Sequence, residues 1–267
     1  MKVSENISLS EYISARPEIF PGGVSLTHLK VYDTPAPDGL SGGSPHMHFA
    51  CLEMYLVVKG QGTVQTLSSA GFREVLLRPG SVVWFTPGLI HRLINQDGRL
   101  ELFVVMENTG LPEHGDSLLT LPSAYLESQD SYLAAASLDQ SGAVFAETGE
   151  AAKRRRDLAV EGFLFLRAEL EHGGSLSRFY DLAVNLIKDK EAIWRDIWEE
   201  GPIRAIHRTE TFLNFLRAGA SNYLNNGRIF EIAAESENED RKLGFCGTLR
   251  TYLAEGELTE TLPAPLE

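Results

Sequence analysis

The chain has 267 residues, 43% hydrophobic and 23% charged, the composition of an ordinary globular protein rather than a disordered or fibrous one. With 24 basic against 37 acidic residues the net charge is -13, which argues against a broad basic face for nucleic acid. Division after Glu150 leaves 8 basic and 17 acidic residues before it and 16 and 20 after it, so neither half is basic and a small-molecule ligand or a protein partner is favoured.

From Val24 to Met106 the chain reads as short strands bounded by turn signals: Val24 to Tyr32, Leu52 to Val58, Thr63 to Leu67, Arg73 to Leu77, Ser81 to Phe85 and Leu102 to Met106. Pro79-Gly80 and Pro87-Gly88 suit tight turns, because Pro presets φ near -65° and Gly accepts a positive φ at the next position. Tight reversals make the strands antiparallel, an all-β barrel or sandwich. Between Pro112 and Glu147 the pattern is ambiguous, with Leu118, Leu119 and Leu121 as a candidate further strand.

After about Glu150 the period changes from 2 to 3.6. Ala159, Phe163, Leu166 and Leu170 mark a helix ending at Gly173-Gly174, and Leu176, Phe179, Tyr180, Ala183, Leu186 and Ile187 share one face of a second, with Ser175 in N-cap position. Further helices are expected over Ile193 to Trp198, stopped by Gly201-Pro202, over Thr211 to Leu224, and over Ile229 to Glu235. The division expected is therefore a β-barrel domain with an N-terminal arm over 1–140, a helical region over 150–253, and a loosely ordered tail over 254–267.

His46 and His48 are two apart, so on a strand their imidazoles point to one face and can meet one ion. Glu53 is five positions beyond His48, and a turn around Phe49 to Cys51 would return it on an adjacent strand. Downstream stands Pro87-Gly88-Leu89-Ile90-His91, with Asn95 four residues after the His. Three imidazoles and one carboxylate form a mixed nitrogen and oxygen set suited to iron, manganese, nickel, copper or zinc.

These segments resemble the two conserved motifs of the cupin family. His46, His48, Glu53 and Gly60 match the first, and Pro87, Gly88, His91 and Asn95 nearly match the second. Two departures lie in turns: Pro87 adjoins Gly88 directly, and Leu40 stands where a Gly is expected before the first His. The resemblance spans about Val24 to Met106 and implies an antiparallel jelly-roll barrel holding one divalent metal on His46, His48, Glu53 and His91, with the helical half as an extension beyond it. Many cupins are dimers, so a homodimer is expected.

By period 2, Tyr55 and Val57 should share the inward face of Glu53, and Leu93 and Asn95 that of His91, which makes these four the candidate pocket residues. The neighbours Met54, Leu56 and Val58 then face outward, an apolar strip that helices or a partner subunit should cover. Trp84 is read as core or pocket wall, and Val57, Val82, Val83, Trp84 and Phe85 would suit a mainly nonpolar substrate wherever they face the cavity. His28, His114, His172 and His207 lack ligand partners at useful spacing. The run Lys153 to Arg156 reads as a solvated helix face, since Asp157, Glu161, Glu169 and Glu171 share its helix. A barrel followed by helices is also similar in layout to AraC-type regulators, but no recognition-helix sequence is present.

Cys51 and Cys246 are too few for a disulfide framework and are read as free thiols. No apolar run approaches the roughly 20 residues that cross a bilayer, and MKVSENISLSEYISARPE lacks the unbroken apolar stretch of a signal peptide, so a cytoplasmic, non-membrane protein is expected. Cupins span several chemistries, so the reaction expected, a dioxygenase with iron(II) as the favoured ion and Glu53 as a candidate proton acceptor, stands beside an isomerase or lyase and a non-catalytic sensor.

Overall fold

The structure is a computed structural model that describes residues 20–138, 145–227, 229–232, 241–252 and 259–261. Its first half is strands: β1 (Ser25–Val31), β2 (His46–Met47), β3 (Glu53–Lys59), β4 (Gly62–Ser68), β5 (Gly71–Leu77), β6 (Val82–Phe85), β7 (Ile90–Asn95), β8 (Glu101–Met106) and β9 (Leu118–Leu119). Helices Ser123–Leu126, Gln129–Ala136, Phe145–Glu171, Ser177–Ile187, Glu191–Trp198 and Arg204–Arg217 follow, and then β10 (Ile229–Glu231), β11 (Lys242–Leu243), β12 (Gly247–Tyr252) and β13 (Thr259–Thr261).

Two antiparallel sheets face each other, one in the order β11-β12-β1-β8-β3-β6 and the other β5-β4-β7-β2-β9. Alternation decides which side chains enter the space between them: on β3, Glu53, Tyr55 and Val57 are buried while Leu56 and Val58 are exposed. Leu29, Tyr55, Val57, Val64, Leu93 and Leu102 form the core between the sheets. Gly60 has φ 75°, and a Cβ there would stand 2.3 Å from the Arg99 carbonyl, so only glycine fits the β3–β4 reversal.

A second core lies on the outer side of the five-stranded sheet. Met47, Leu67, Ile90, Leu118 and Leu119 meet Ala159, Phe163, Leu166, Phe179 and Ala183 of the helices. All six residues of β7 are buried, because it has the barrel interior on one face and covering structure on the other. Each large apolar side chain so removed from water contributes on the order of 1.5–3 kcal/mol.

The helices therefore cover the five-stranded sheet, and the apolar strip on the six-stranded one is left to solvent. Leu56, Val58 and Val82 are exposed, and Trp84, 66% exposed, belongs to neither core nor pocket. Trp84 is paired with the outward Met54 in the β3–β6 register, which puts it on the outer face.

Several expectations for the second half are corrected. Gly201-Pro202 does not stop the chain: a π-type turn over Glu199–Ile203 takes up Pro202, which has no N–H to donate, and leads into Arg204–Arg217. That helix starts before the expected Thr211 and ends before Leu224. The helix expected over Ile229 to Glu235 begins instead as β10, in keeping with the strand preference of Ile229 and Phe230, and its positions 233–235 lie outside the described residues. Within the region expected to be helical, β12 pairs with β1, bringing Leu249 opposite Leu29 and Thr251 opposite Thr27. In the tail, Thr259–Thr261 pairs with β10; positions 254–258 and 262–267, like the N-terminal arm through 19, lie outside the described residues.

The Lys153 to Arg156 run is a solvated face in its first half only, where Lys153 and Arg154 are exposed. Arg155 and Arg156 are buried. Arg156 donates to the Thr34 and Pro35 carbonyl oxygens and to Asp157. Arg155 donates to the carbonyl oxygens of Ala136 and Gly244 and lies over the Phe245 ring. These contacts tie the long helix to barrel loops and to the returning C-terminal segment.

Candidate metal centre

His46 on β2 and His91 on β7 are direct register partners, which places their rings 4.3 Å apart. His48 follows just after β2, and the carboxylate of Asp116 holds the bend that comes next, its Oδ1 accepting from the N–H groups of Phe49 (3.0 Å) and Ala50 (2.9 Å). That bend returns the chain so that Glu53 opens β3 facing inward. On the other side, the Gly88 N–H of the Pro87-Gly88 turn donates to the His48 carbonyl at 2.9 Å, joining the two motif segments.

His46, His48, Glu53 and His91 are all buried, and one ligand atom from each falls within 4.8 Å of the others. His91 Nε2 is 3.2 Å from His46 Nε2 and 3.0 Å from Glu53 Oε2, which is itself 3.2 Å from His48 Nε2. An ion about 2.1 Å from each donor requires adjacent octahedral donors about 3.0 Å apart, so the set fits a divalent metal. The tautomers agree: Nδ1 of His46, His48 and His91 each faces a backbone carbonyl, of Ser44, Asp116 and Leu89 respectively. An N–H donated there leaves the Nε2 lone pair of every ring turned to the centre.

Buried polar atoms point the same way. His48 Nε2 and Glu53 Oε2, shut off from water, have no aligned hydrogen-bond partner, the condition that a bound cation would relieve. Burial, aided by the neighbouring His91 and His48, holds His46 well below the usual imidazole range, so its lone pair is available. Burial pulls His48 in the same direction, but the carboxylates of Glu53 and Asp116 outweigh it and raise its pKa. Glu53 is held well below the usual carboxylate range by His91 and His48 against the opposing effect of burial.

The centre opens onto a cavity of about 390 Å³, lined among others by His46, His48 and Glu53. Of the four expected pocket residues, Tyr55 lines this cavity. Val57 and Leu93 are core, and Asn95 is spent on structure, donating to the Val31 carbonyl and accepting from the Leu100 N–H. Val82, Val83, Trp84 and Phe85 do not line it; Leu29, Val104, Met106 and Leu249 do. Cys51 is buried in the core, and no helix is long and apolar enough to cross a membrane among the described residues. Two features had escaped the sequence reading. Asp116 is an isolated acid in a loop with no motif around it, whereas the strand character of Thr248 to Tyr252, β-branched and aromatic, was visible.

Residues 9–137 match the family model described as Cupin. This part of the chain is a cupin domain. Among solved structures, the chain is similar to oxalate decarboxylase from Bacillus subtilis, at 14% identity over 41% of this chain and 28% of that one, with a TM-score of 0.32. Capsular polysaccharide assembling protein CapF from Staphylococcus aureus is 22% identical over 35% of this chain and 25% of that one, TM-score 0.26. TDP-fucose-3,4-ketoisomerase from Campylobacter jejuni is 11% identical over 31% of this chain and 58% of that one, TM-score 0.26. The matches thus span less than two thirds of each of these relatives. No curated protein matches this chain.

Proposed function

We propose that this cupin is a metal-dependent oxidoreductase of dioxygenase type acting on a small organic molecule. The observation that carries the reading is the buried set of three imidazoles and one carboxylate, whose donors lie close together beside a cavity that His46, His48 and Glu53 line. Such a set leaves up to two positions open in an octahedral field, and a redox-active ion there, iron(II) in first place, would supply electron transfer to O₂ and Lewis acidity toward substrate. His46, His48, His91 and Glu53 would hold the ion. Glu53, as the carboxylate of the ligand set, is the group placed to take a proton from a bound hydroxyl at its Oε atoms, and the surrounding apolar side chains exclude water from it.

The test compares iron- and zinc-loaded protein against a panel of small organic substrates while O₂ is measured. Iron-dependent O₂ consumption in proportion to product is expected, with the zinc form inactive because zinc has no accessible redox change. Equal anaerobic turnover by the zinc form would instead establish an isomerase or lyase, and failure of every metal form to turn over would leave the sensor.

A further inference from the structure

We propose that the returning segment Gly244 to Thr251, outside the matched cupin residues, is the specificity-determining wall of the cavity, and that it selects a ligand with an uncharged, predominantly apolar body. Gly244, Phe245, Cys246, Leu249 and Thr251 all line the cavity that holds the metal ligands. The Phe245 ring stands edge-on to His46 at 5.3 Å, so a ligand reaching the ion from this side passes the phenyl group.

The wall is built to stay in place. Phe245 O accepts from the Ser44 N–H at 2.9 Å, and Cys246 O from the Tyr32 N–H at 3.1 Å, which ties the segment to the stretch leading into His46. Gly43 makes the approach possible, since a Cβ there would lie 2.6 Å from the Cys246 Cα. From behind, Arg155 donates to Gly244 O at 2.8 Å and lies 4.8 Å from the centre of the Phe245 ring. Its charge is thereby committed to the wall and is not offered to the cavity.

The chemistry of the lining follows. Among the described residues that form the cavity there is no Lys or Arg; Glu113 and the ligand Glu53 are the only carboxylates. A diphosphate or dicarboxylate is ordinarily held by guanidinium or ammonium donors. A body bearing such a group would here lose its hydration and gain no counter-ion. Leu29, Val104, Met106 and Leu249 instead offer apolar contact, and the volume is at the lower end of the range for small-molecule pockets.

This inference rests on the metal reading for the head of the ligand only. Calorimetric titration of the cobalt-loaded full-length protein would use three hydroxamates with one metal-binding head: acetohydroxamate, 4-butylbenzohydroxamate and 4-carboxybenzohydroxamate. The butyl compound is expected to bind about tenfold more tightly than either of the others. Thr251→Arg should narrow or reverse the difference between the two aryl compounds while changing acetohydroxamate by less than about twofold. Leu249→Ala, the milder change should the arginine variant fail to fold, should weaken the butyl compound alone. Equal affinities, or preference of the unaltered protein for the carboxy compound, would overturn the inference. Should elemental analysis find no metal retained, the metal reading falls separately, and 4-butylphenol against 4-butylbenzoate still decides the wall: preference for the phenol supports it and preference for the benzoate overturns it.

Discussion

The two sheets of this molecule have opposite outer faces. That of the five-stranded sheet is sealed by Phe163, Phe179 and their neighbours from the helices, whereas that of the six-stranded sheet presents Leu56, Val58, Val82 and Trp84 to solvent. Both are apolar, so hydrophobic pattern alone does not say which face the second half of the chain will choose. The choice is made by specific polar ties, such as Thr120 Oγ1 donating to the Ala159 carbonyl at 2.8 Å and the Arg156 contacts with Thr34 and Pro35. Apolar area supplies the drive and buried hydrogen bonds supply the address.

The comparison breaks most severely when the covering is removed. Truncation near Glu150 deletes the helices and β12 together, uncovering Met47, Leu67, Ile90, Leu118 and Leu119 and opening the edge of β1. At roughly 1.5–3 kcal/mol for each large side chain, the five together lose about 7.5–15 kcal/mol, as much as the 5–15 kcal/mol by which domains are ordinarily stable. The fragment should aggregate or lack a cooperative transition; a soluble fragment with an undiminished melting temperature would contradict the covering role.

Next in size is the metal centre. Elemental analysis should find about one metal per chain, falling sharply in His46→Ala and His91→Ala. Asp116→Ala should weaken metal binding by about 10–100-fold, the range for residues that orient a ligand, because it frees the Phe49–Ala50 bend. Affinity should decline as pH falls through about 6.5. His48, whose pKa is raised, is taken by a proton before His46, whose pKa is lowered. Metal retained unchanged in both histidine variants would sink the assignment.

A smaller effect tests the polar ties. Arg92 is fully buried and donates to Asp38 Oδ2 at 2.5 Å and to Asp38 Oδ1 at 3.2 Å. Asp38→Ala strands that cation and should cost about 3 kcal/mol at neutral pH. Partial burial opposes ionisation of Asp38, but the Arg92 hydrogen bonds and charge prevail and its pKa is lowered. The stabilisation is therefore complete above the unfolded value near 3.8 and is lost as pH falls through the lower folded value. Denaturation profiles of the two proteins should converge in acid, and a gap independent of pH would contradict the pairing.

Least costly to the fold is substitution on the uncovered face. Trp84→Arg should leave the melting temperature nearly unchanged, as exposed positions usually alter stability by less than about 0.5 kcal/mol. If a second copy covers this face, light scattering should show a dimer that the substitution converts to monomer; an unaltered mass would place any dimer contact elsewhere.

Legibility followed the range over which a residue acts. His46, His48, Glu53 and His91 were readable because ligand spacing and strand alternation are local, and the turns that set them, at Gly60 and Pro87-Gly88, announce themselves in two or three residues. Arg155 and Arg156 looked solvated because their neighbours are charged; their partners, Gly244 O and Thr34 O, are 89 and 122 positions away. Trp84 was undecidable for the complementary reason, since its face depends on the register with β3 rather than on its own surroundings. Tyr55 was separated from Val57, Leu93 and Asn95 only by where the cavity happens to lie between the sheets.

The pairing of β12 with β1 has a consequence for synthesis. The Tyr32 hydroxyl meets the Gly244 carbonyl across 212 positions of chain, among the most distant contacts in the molecule. During translation, at roughly 5–20 residues per second, the motif histidines leave the ribosome well before the strand that completes their enclosure. For that interval the nascent barrel has an open edge at β1 and a centre accessible from the side. The enclosure of the motif residues on this side is therefore completed only when β12 takes its place beside β1.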